Sequence, residues 1–127
     1  MEGTLRILIA EDDPAVRSVA RRFLEAGGFQ VLEAKSGSEA LALGREQPVD
    51  LLVADLVMPD FGGLELARRL EAFRPGLPVL YLSGYTEDEA KRREPSLQVA
   101  NFLQKPFSGQ AFREKIRQIV KGPATGN

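Results

Sequence analysis

Leu51-Leu52-Val53-Ala54-Asp55-Leu56-Val57-Met58-Pro59 decides how this chain is read. An unbroken apolar run ends on a carboxylate, and a proline closes the turn that follows. Such a run is expected of a central strand covered on both faces. A carboxylate at its end is costly unless it is paired or bound to a metal. Two other apolar runs also end on charged groups. Leu5-Arg6-Ile7-Leu8-Ile9-Ala10 leads into Glu11-Asp12-Asp13, and Ala100-Asn101-Phe102-Leu103-Gln104 leads into Lys105-Pro106. If these runs are parallel strands of one sheet, their carboxyl ends lie together. That edge then gathers an acidic pair, a third carboxylate and one lysine, a set that can hold a divalent cation and support phosphoryl transfer.

The rest of the chain alternates in the same way. Val16, Val19, Ala20, Phe23 and Leu24 recur at helical spacing, opened by Asp13-Pro14 and closed by Gly27-Gly28. Phe29 to Ala34 reads as an edge strand. Ser36-Gly37-Ser38-Glu39 reads as a capping box for a second helix that ends before Pro48. Gly62-Gly63 leads into a helix with Leu66, Ala67, Leu70 and Phe73 on its buried face. Pro78 begins the strand Val79-Leu80-Tyr81-Leu82. Thr86-Glu87-Asp88-Glu89 opens a short polar helix. Ser108 caps a last helix carrying Phe112, Ile116, Ile119 and Val120 on one face. Strand and helix thus alternate five times with no insertion. This predicts one α/β domain over residues 1–121 with a parallel sheet between helices, and a disordered tail over 122–127. In open sheets of this kind sites form outside the carboxyl ends of the strands.

Composition excludes several chemistries. The 127 residues contain neither cysteine nor histidine, which removes disulfides, thiolates, a histidine base and a histidine metal ligand. A metal would be held by oxygen, which favours magnesium or calcium over zinc. Seventeen basic against eighteen acidic residues provide no polycationic field, so no nucleic-acid partner is expected. No apolar run reaches the length of a membrane span, so no membrane contact is expected, and a cytoplasmic location fits the lack of cysteine.

Read as chemistry, Asp12 and Asp55 are candidate direct ligands, Glu11 a ligand acting through water, and the backbone carbonyl near Val57 a further oxygen. Taken alone, Glu11-Asp12-Asp13 is more often helix capping by Asp13 with solvated neighbours. Asp55 is a candidate nucleophile that would form an acyl phosphate. Lys105 supplies a point charge for a phosphate or the bare carboxylate, and a cis bond to Pro106 is compatible with the turn that aims it. Ser83 can donate one hydroxyl bond to a phosphoryl oxygen, or equally serve the turn with Gly84.

Four segments in order, Ile7 to Pro14, Asp55 to Pro59 with Gly62-Gly63, Leu82-Ser83-Gly84 and Phe102 to Phe107, resemble the receiver domain of bacterial two-component response regulators over about residues 4–121. The resemblance implies a flavodoxin-like (βα)5 three-layer sandwich with strand order 2-1-3-4-5. It implies Asp55 as phosphoacceptor, Glu11 and Asp12 as the acidic pair binding Mg2+, Ser83 as the switch hydroxyl, Lys105 as the site lysine and Phe102 as the switch aromatic. It further implies a histidine kinase or histidine phosphotransfer protein as partner, slow autophosphatase activity, and a switching surface on the fourth helix, fifth strand and fifth helix that is also a possible homodimer face. The segments around Ser83 and Lys105 resemble receivers at the C-terminus of hybrid sensor kinases. Two rivals share the features. An aspartyl-phosphate phosphatase would place its nucleophile after the first strand, and a flavin-binding module would place a phosphate loop where this chain has three acids.

Overall fold

A computed structural model describes residues 4–97 and 101–121, with the side chain of Lys121 excepted. The order is β1 (Arg6–Ala10), α1 (Pro14–Ala26), β2 (Gln30–Ala34), α2 (Gly37–Glu46), β3 (Leu51–Asp55), α3 (Gly63–Glu71), β4 (Val79–Ser83), α4 (Glu87–Arg93), β5 (Phe102–Gln104) and α5 (Gly109–Lys121). The strands form one sheet in the order β2-β1-β3-β4-β5. All pairs are parallel. This is the flavodoxin-like topology that the resemblance implies. The predicted tail, residues 122–127, lies outside the described residues.

Side chains alternate across each strand, and the two faces feed two cores. Ile7, Ile9, Leu51, Val53, Leu80 and Leu82 pack with Ala20 and Leu24 of α1 and Phe112 and Ile116 of α5. Leu8, Ala10, Leu52, Ala54 and Tyr81 pack with Ala40 of α2, Leu66 and Leu70 of α3 and Ala90 of α4. Every residue of β3 is buried, as its central position requires. Fully burying such a leucine contributes about 1.5–3 kcal/mol. β2 lies at one edge of the sheet, and its Gln30 is exposed.

The helix signals act as expected in most places. Asp13 Oδ1 accepts the Ala15 and Val16 amides, and Pro14 begins α1. Gly28 takes φ +90 after α1, a backbone region that glycine enters without strain. Thr86 and Glu89 form a reciprocal capping box on α4. At α2 only half of the expected box forms. Ser36 Oγ accepts the Glu39 amide, but Glu39 Oε1 takes the Lys35 amide, one residue upstream of the cap.

Two residues assigned to buried helix faces lie outside. Phe73 is 51% exposed. α3 ends at Glu71, so helical spacing no longer orients Phe73, and its ring lies instead under Arg45, whose guanidinium carbon is 4.9 Å from the ring centroid. Val120 is 41% exposed in the last turn of α5, beyond Ile116, where that helix has run past the sheet-facing cluster.

Candidate functional site

Register brings the polar ends together. Ala10 pairs with Ala54, Asp55 with Leu82, and Ser83 with Gln104. Residues Glu11, Asp55, Ser83 and Lys105 therefore leave the sheet at neighbouring points on one edge. The Lys105 amide donates to the Ser83 carbonyl at 2.7 Å, extending the ladder to the lysine. The Lys105–Pro106 peptide bond is cis.

Asp55 is 6% exposed and fully engaged. Its Oδ1 accepts the Val57 amide at 3.1 Å, and its Oδ2 accepts Lys105 Nζ at 2.7 Å. Glu11 is fully buried. Its Oε2 accepts the Asp13 amide at 3.1 Å, and its Oε1 lies 2.9 Å from Lys105 Nζ. That second approach is an ion pair without hydrogen-bond alignment, so Oε1 is a buried polar atom lacking a hydrogen-bond partner. Burial pushes the Glu11 carboxyl up from 4.5 to about 7; Lys105 and the Asp13 amide oppose this, and the Asp55 charge adds to it. For Lys105, burial favours the neutral amine, but the hydrogen bond to Asp55 and the charges of Asp55 and Glu11 outweigh it and raise its pKa.

Carboxylate oxygens of Glu11, Asp12 and Asp55 lie within 4.8 Å of one another. Three carboxylates against one ammonium leave an excess of two negative charges when all are ionised. The donor set is oxygen alone, and one buried oxygen has no hydrogen-bond partner. A hard divalent cation suits this chemistry. Asp12 is the exposed member of the acidic pair and Glu11 the buried one.

Ser83 is 1% exposed, and its Oγ accepts the Tyr85 amide at 2.9 Å. Turn and site readings are therefore compatible, because accepting leaves the hydroxyl hydrogen available to donate. Val57 is 58% exposed beside Asp55. Phe102 pairs with Tyr81 across the ladder and is 4% exposed. The implied inward swing of this ring thus finds the ring already inside.

The loop between Asp55 and α3 is held by contacts that sequence reading missed. Asp60 accepts the amides of Gly37 and Ser38 at 3.0 and 2.8 Å, the Phe61 amide at 2.8 Å, and the Ser38 hydroxyl. These bonds hold its pKa well below the usual carboxylate range, the Ser38 hydroxyl most strongly. They tie the loop to the N-terminus of α2. At its other end, a Cβ on Gly62 would overlap the Leu56 carbonyl oxygen, so the chain folds back on itself there. Arg17 acts from the other side of the site. It donates to the Glu11 carbonyl at 2.7 Å and pairs with Glu33 at 3.2 Å, steadying the acidic turn from α1. No local pattern marks either residue, because their partners are distant in sequence or on the backbone.

Known proteins share this arrangement. The response regulator receiver domain family matches residues 7–117. The chain is 36% identical over 123 residues to the sensor kinase CckA of Brucella abortus, covering 95% of this chain and 13% of that protein. It is 34% identical to the response regulator receiver protein CpdR of the same organism, covering 91% of this chain and 94% of that one. Among solved structures, the receiver domain of the hybrid histidine kinase CckA superposes with TM-score 0.74 at 37% identity, covering 91% of this chain and 98% of that one. A CheY-like receiver from Methanospirillum hungatei superposes with TM-score 0.82 at 28% identity, covering 94% and 95%. Fold, acidic cluster and sequence agree: this chain belongs to the response regulator receiver domain family, the phosphoacceptor modules of two-component signalling.

Proposed function

We propose that Asp55 is the phosphoacceptor, taking a phosphoryl group from a histidine of a kinase or phosphotransfer protein with Mg2+ bound by Asp12, Asp55, Glu11 and the Val57 carbonyl. The observation that carries this is the Asp55 carboxylate, closing a fully buried central strand with Lys105 Nζ at 2.7 Å and two further carboxylates beside it. One Asp55 oxygen attacks phosphorus. The P–N bond of the donor breaks, and its electron pair leaves with the imidazole nitrogen, which takes up a proton. A bound Mg2+ supplies positive charge to the phosphoryl oxygens. Lys105 exchanges its bond to the Asp55 oxygen for one to a phosphoryl oxygen, and the Ser83 hydroxyl donates to another. Ser83 and Lys105 are joined through the β4–β5 ladder, so their movement carries to α4, β5 and α5 and biases an equilibrium of that surface. Phe102, buried opposite Tyr81 on the neighbouring strand, is the ring that this shift rearranges, and the same surface is the candidate homodimer face.

The chain spans 13% of the length of one relative and 94% of another. A receiver within a hybrid sensor kinase and a free-standing receiver remain the two settings we propose, the identity to the CckA receiver favouring the first.

Beryllofluoride, a phosphoryl mimic, tests the switch. With Mg2+ it is expected to move amide resonances across 83–97 and 101–112 in the wild type and much less in Lys105→Ala. The full wild-type pattern in that variant would remove Lys105 from the switching path.

A further inference from the structure

Asp12 is the exposed carboxylate of the acidic cluster, and its side chain makes no hydrogen bond or ion pair among the described residues. Its direction therefore depends on the backbone that carries it, and that backbone is held through Glu11. The Glu11 amide donates to the Ala34 carbonyl of β2 at 3.0 Å. The Glu11 carbonyl, which belongs to the peptide joining Glu11 to Asp12, accepts Arg17 Nη1 at 2.7 Å. Arg17 stands one turn into α1 and reaches back over the start of that helix, the direction in which helical side chains lean. Its Nε donates to Glu33 Oε1 of β2 at 3.2 Å, and Arg21 takes the other oxygen of Glu33. The guanidinium is thus fixed from two sides, and the side chain is only 19% exposed. A planar fork serves two acceptors at a set angle, which an ammonium on a flexible stem does not.

We propose that Arg17 is a positioning residue for metal binding: it fixes the peptide between Glu11 and Asp12 and so holds Asp12 where it can share a divalent cation with Asp55. This rests on the reading of the acidic cluster as a Mg2+ site. Two effects of Arg17 on that site have opposite signs. As a charge, a cation beside the site repels a dication and weakens binding. As a holder of the peptide, it strengthens binding, because a carboxylate already aimed loses less freedom when it coordinates. The charges around it decide between the two. Arg17 and Arg21 are balanced by Glu33 and Glu25, so the repulsion is weak. The hold on the Glu11 carbonyl is undiminished by that pairing, since it uses a different nitrogen. β2 and α1 thereby set the affinity of a site to which neither contributes a ligand.

The test is Mg2+ titration followed by amide shifts in wild type, Arg17→Met and Arg17→Lys. Methionine keeps the apolar stem and removes both charge and fork, whereas lysine keeps the charge and removes the fork. Both variants are expected to bind Mg2+ about three- to ten-fold more weakly, the effect of losing an ordinary hydrogen bond. A charge effect alone gives another pattern, with tighter binding in Arg17→Met and wild-type binding in Arg17→Lys. In EDTA the amide resonances of residues 11–13 should broaden in both variants, because the turn loosens before any metal arrives. Phosphorylation by acetyl phosphate should require more Mg2+ and reach the wild-type rate at saturation. Urea unfolding in EDTA gives the stability of each variant. A lowered midpoint with unchanged Mg2+ affinity would make Arg17 a structural contact only and overturn the proposal. Tighter binding in Arg17→Met, or a phosphorylation deficit that saturating Mg2+ does not recover, would overturn it too. All three outcomes leave the cluster as the metal site; a wild type that binds no Mg2+ would overturn that reading as well.

Discussion

Glu11→Gln in metal-free buffer is expected to remove a pH dependence of stability that the wild type carries. Burial, with the nearby Asp55 charge, moves the Glu11 carboxyl from 4.5 to about 7 despite the Lys105 ion pair and the Asp13 amide. The folded-state value is the higher one, so the folded chain holds a proton that the unfolded chain releases. The resulting stabilisation is complete below 4.5 and is lost as pH rises through about 7. The displacement sets a ceiling of about 3 kcal/mol. Lys105 stays ionised beside Glu11 at 21% exposure, and Asp12 opens the rim to water, so screening cuts the expected loss to about 1–2 kcal/mol. Urea unfolding of both proteins in EDTA, from about pH 4.5 to about pH 8, measures it. Glutamine does not titrate, so the difference between the two curves reports Glu11 together with its coupling to Asp55 and Lys105. Wild type should fall relative to the variant across that window, and saturating Mg2+ should restore it. Parallel curves would refute the reasoning, because they would mean that the Glu11 charge is compensated without a metal.

Asp12→Ala should weaken Mg2+ affinity at least ten-fold while leaving the melting temperature of the metal-free protein equal or higher, since an exposed charge leaves a repulsive cluster; titration followed by amide shifts checks this. Val57→Asn with Tyr85→Ala should shorten the phosphoryl lifetime, read as phosphate release, because an amide able to orient water replaces a methyl wall. Asp60→Ala should cost about 1 kcal/mol in denaturant unfolding, as the loss of a helix cap does, and should broaden amide resonances over 56–62 where its tie to α2 is cut.

Much of this molecule is legible in the sequence because the decisive signals are local. Apolar runs mark strands, Asp13-Pro14 and Thr86 with Glu89 mark helix starts, and parallel strands force Asp55, Ser83 and Lys105 onto one edge. Misread residues sit where a local pattern stops deciding. Phe73 and Val120 continue a spacing past the point at which the helix or the core behind it ends. Glu39 has two adjacent amides within reach and takes the upstream one. Asp60 and Arg17 act through partners that only the folded chain supplies.

The most direct measurement is intact-mass spectrometry after incubation with acetyl phosphate and Mg2+. The wild type should gain one phosphoryl group, sensitive to EDTA, and Asp55→Asn should gain none. Stoichiometric labelling that persists in Asp55→Asn, or a wild type that stays unlabelled, would contradict the account.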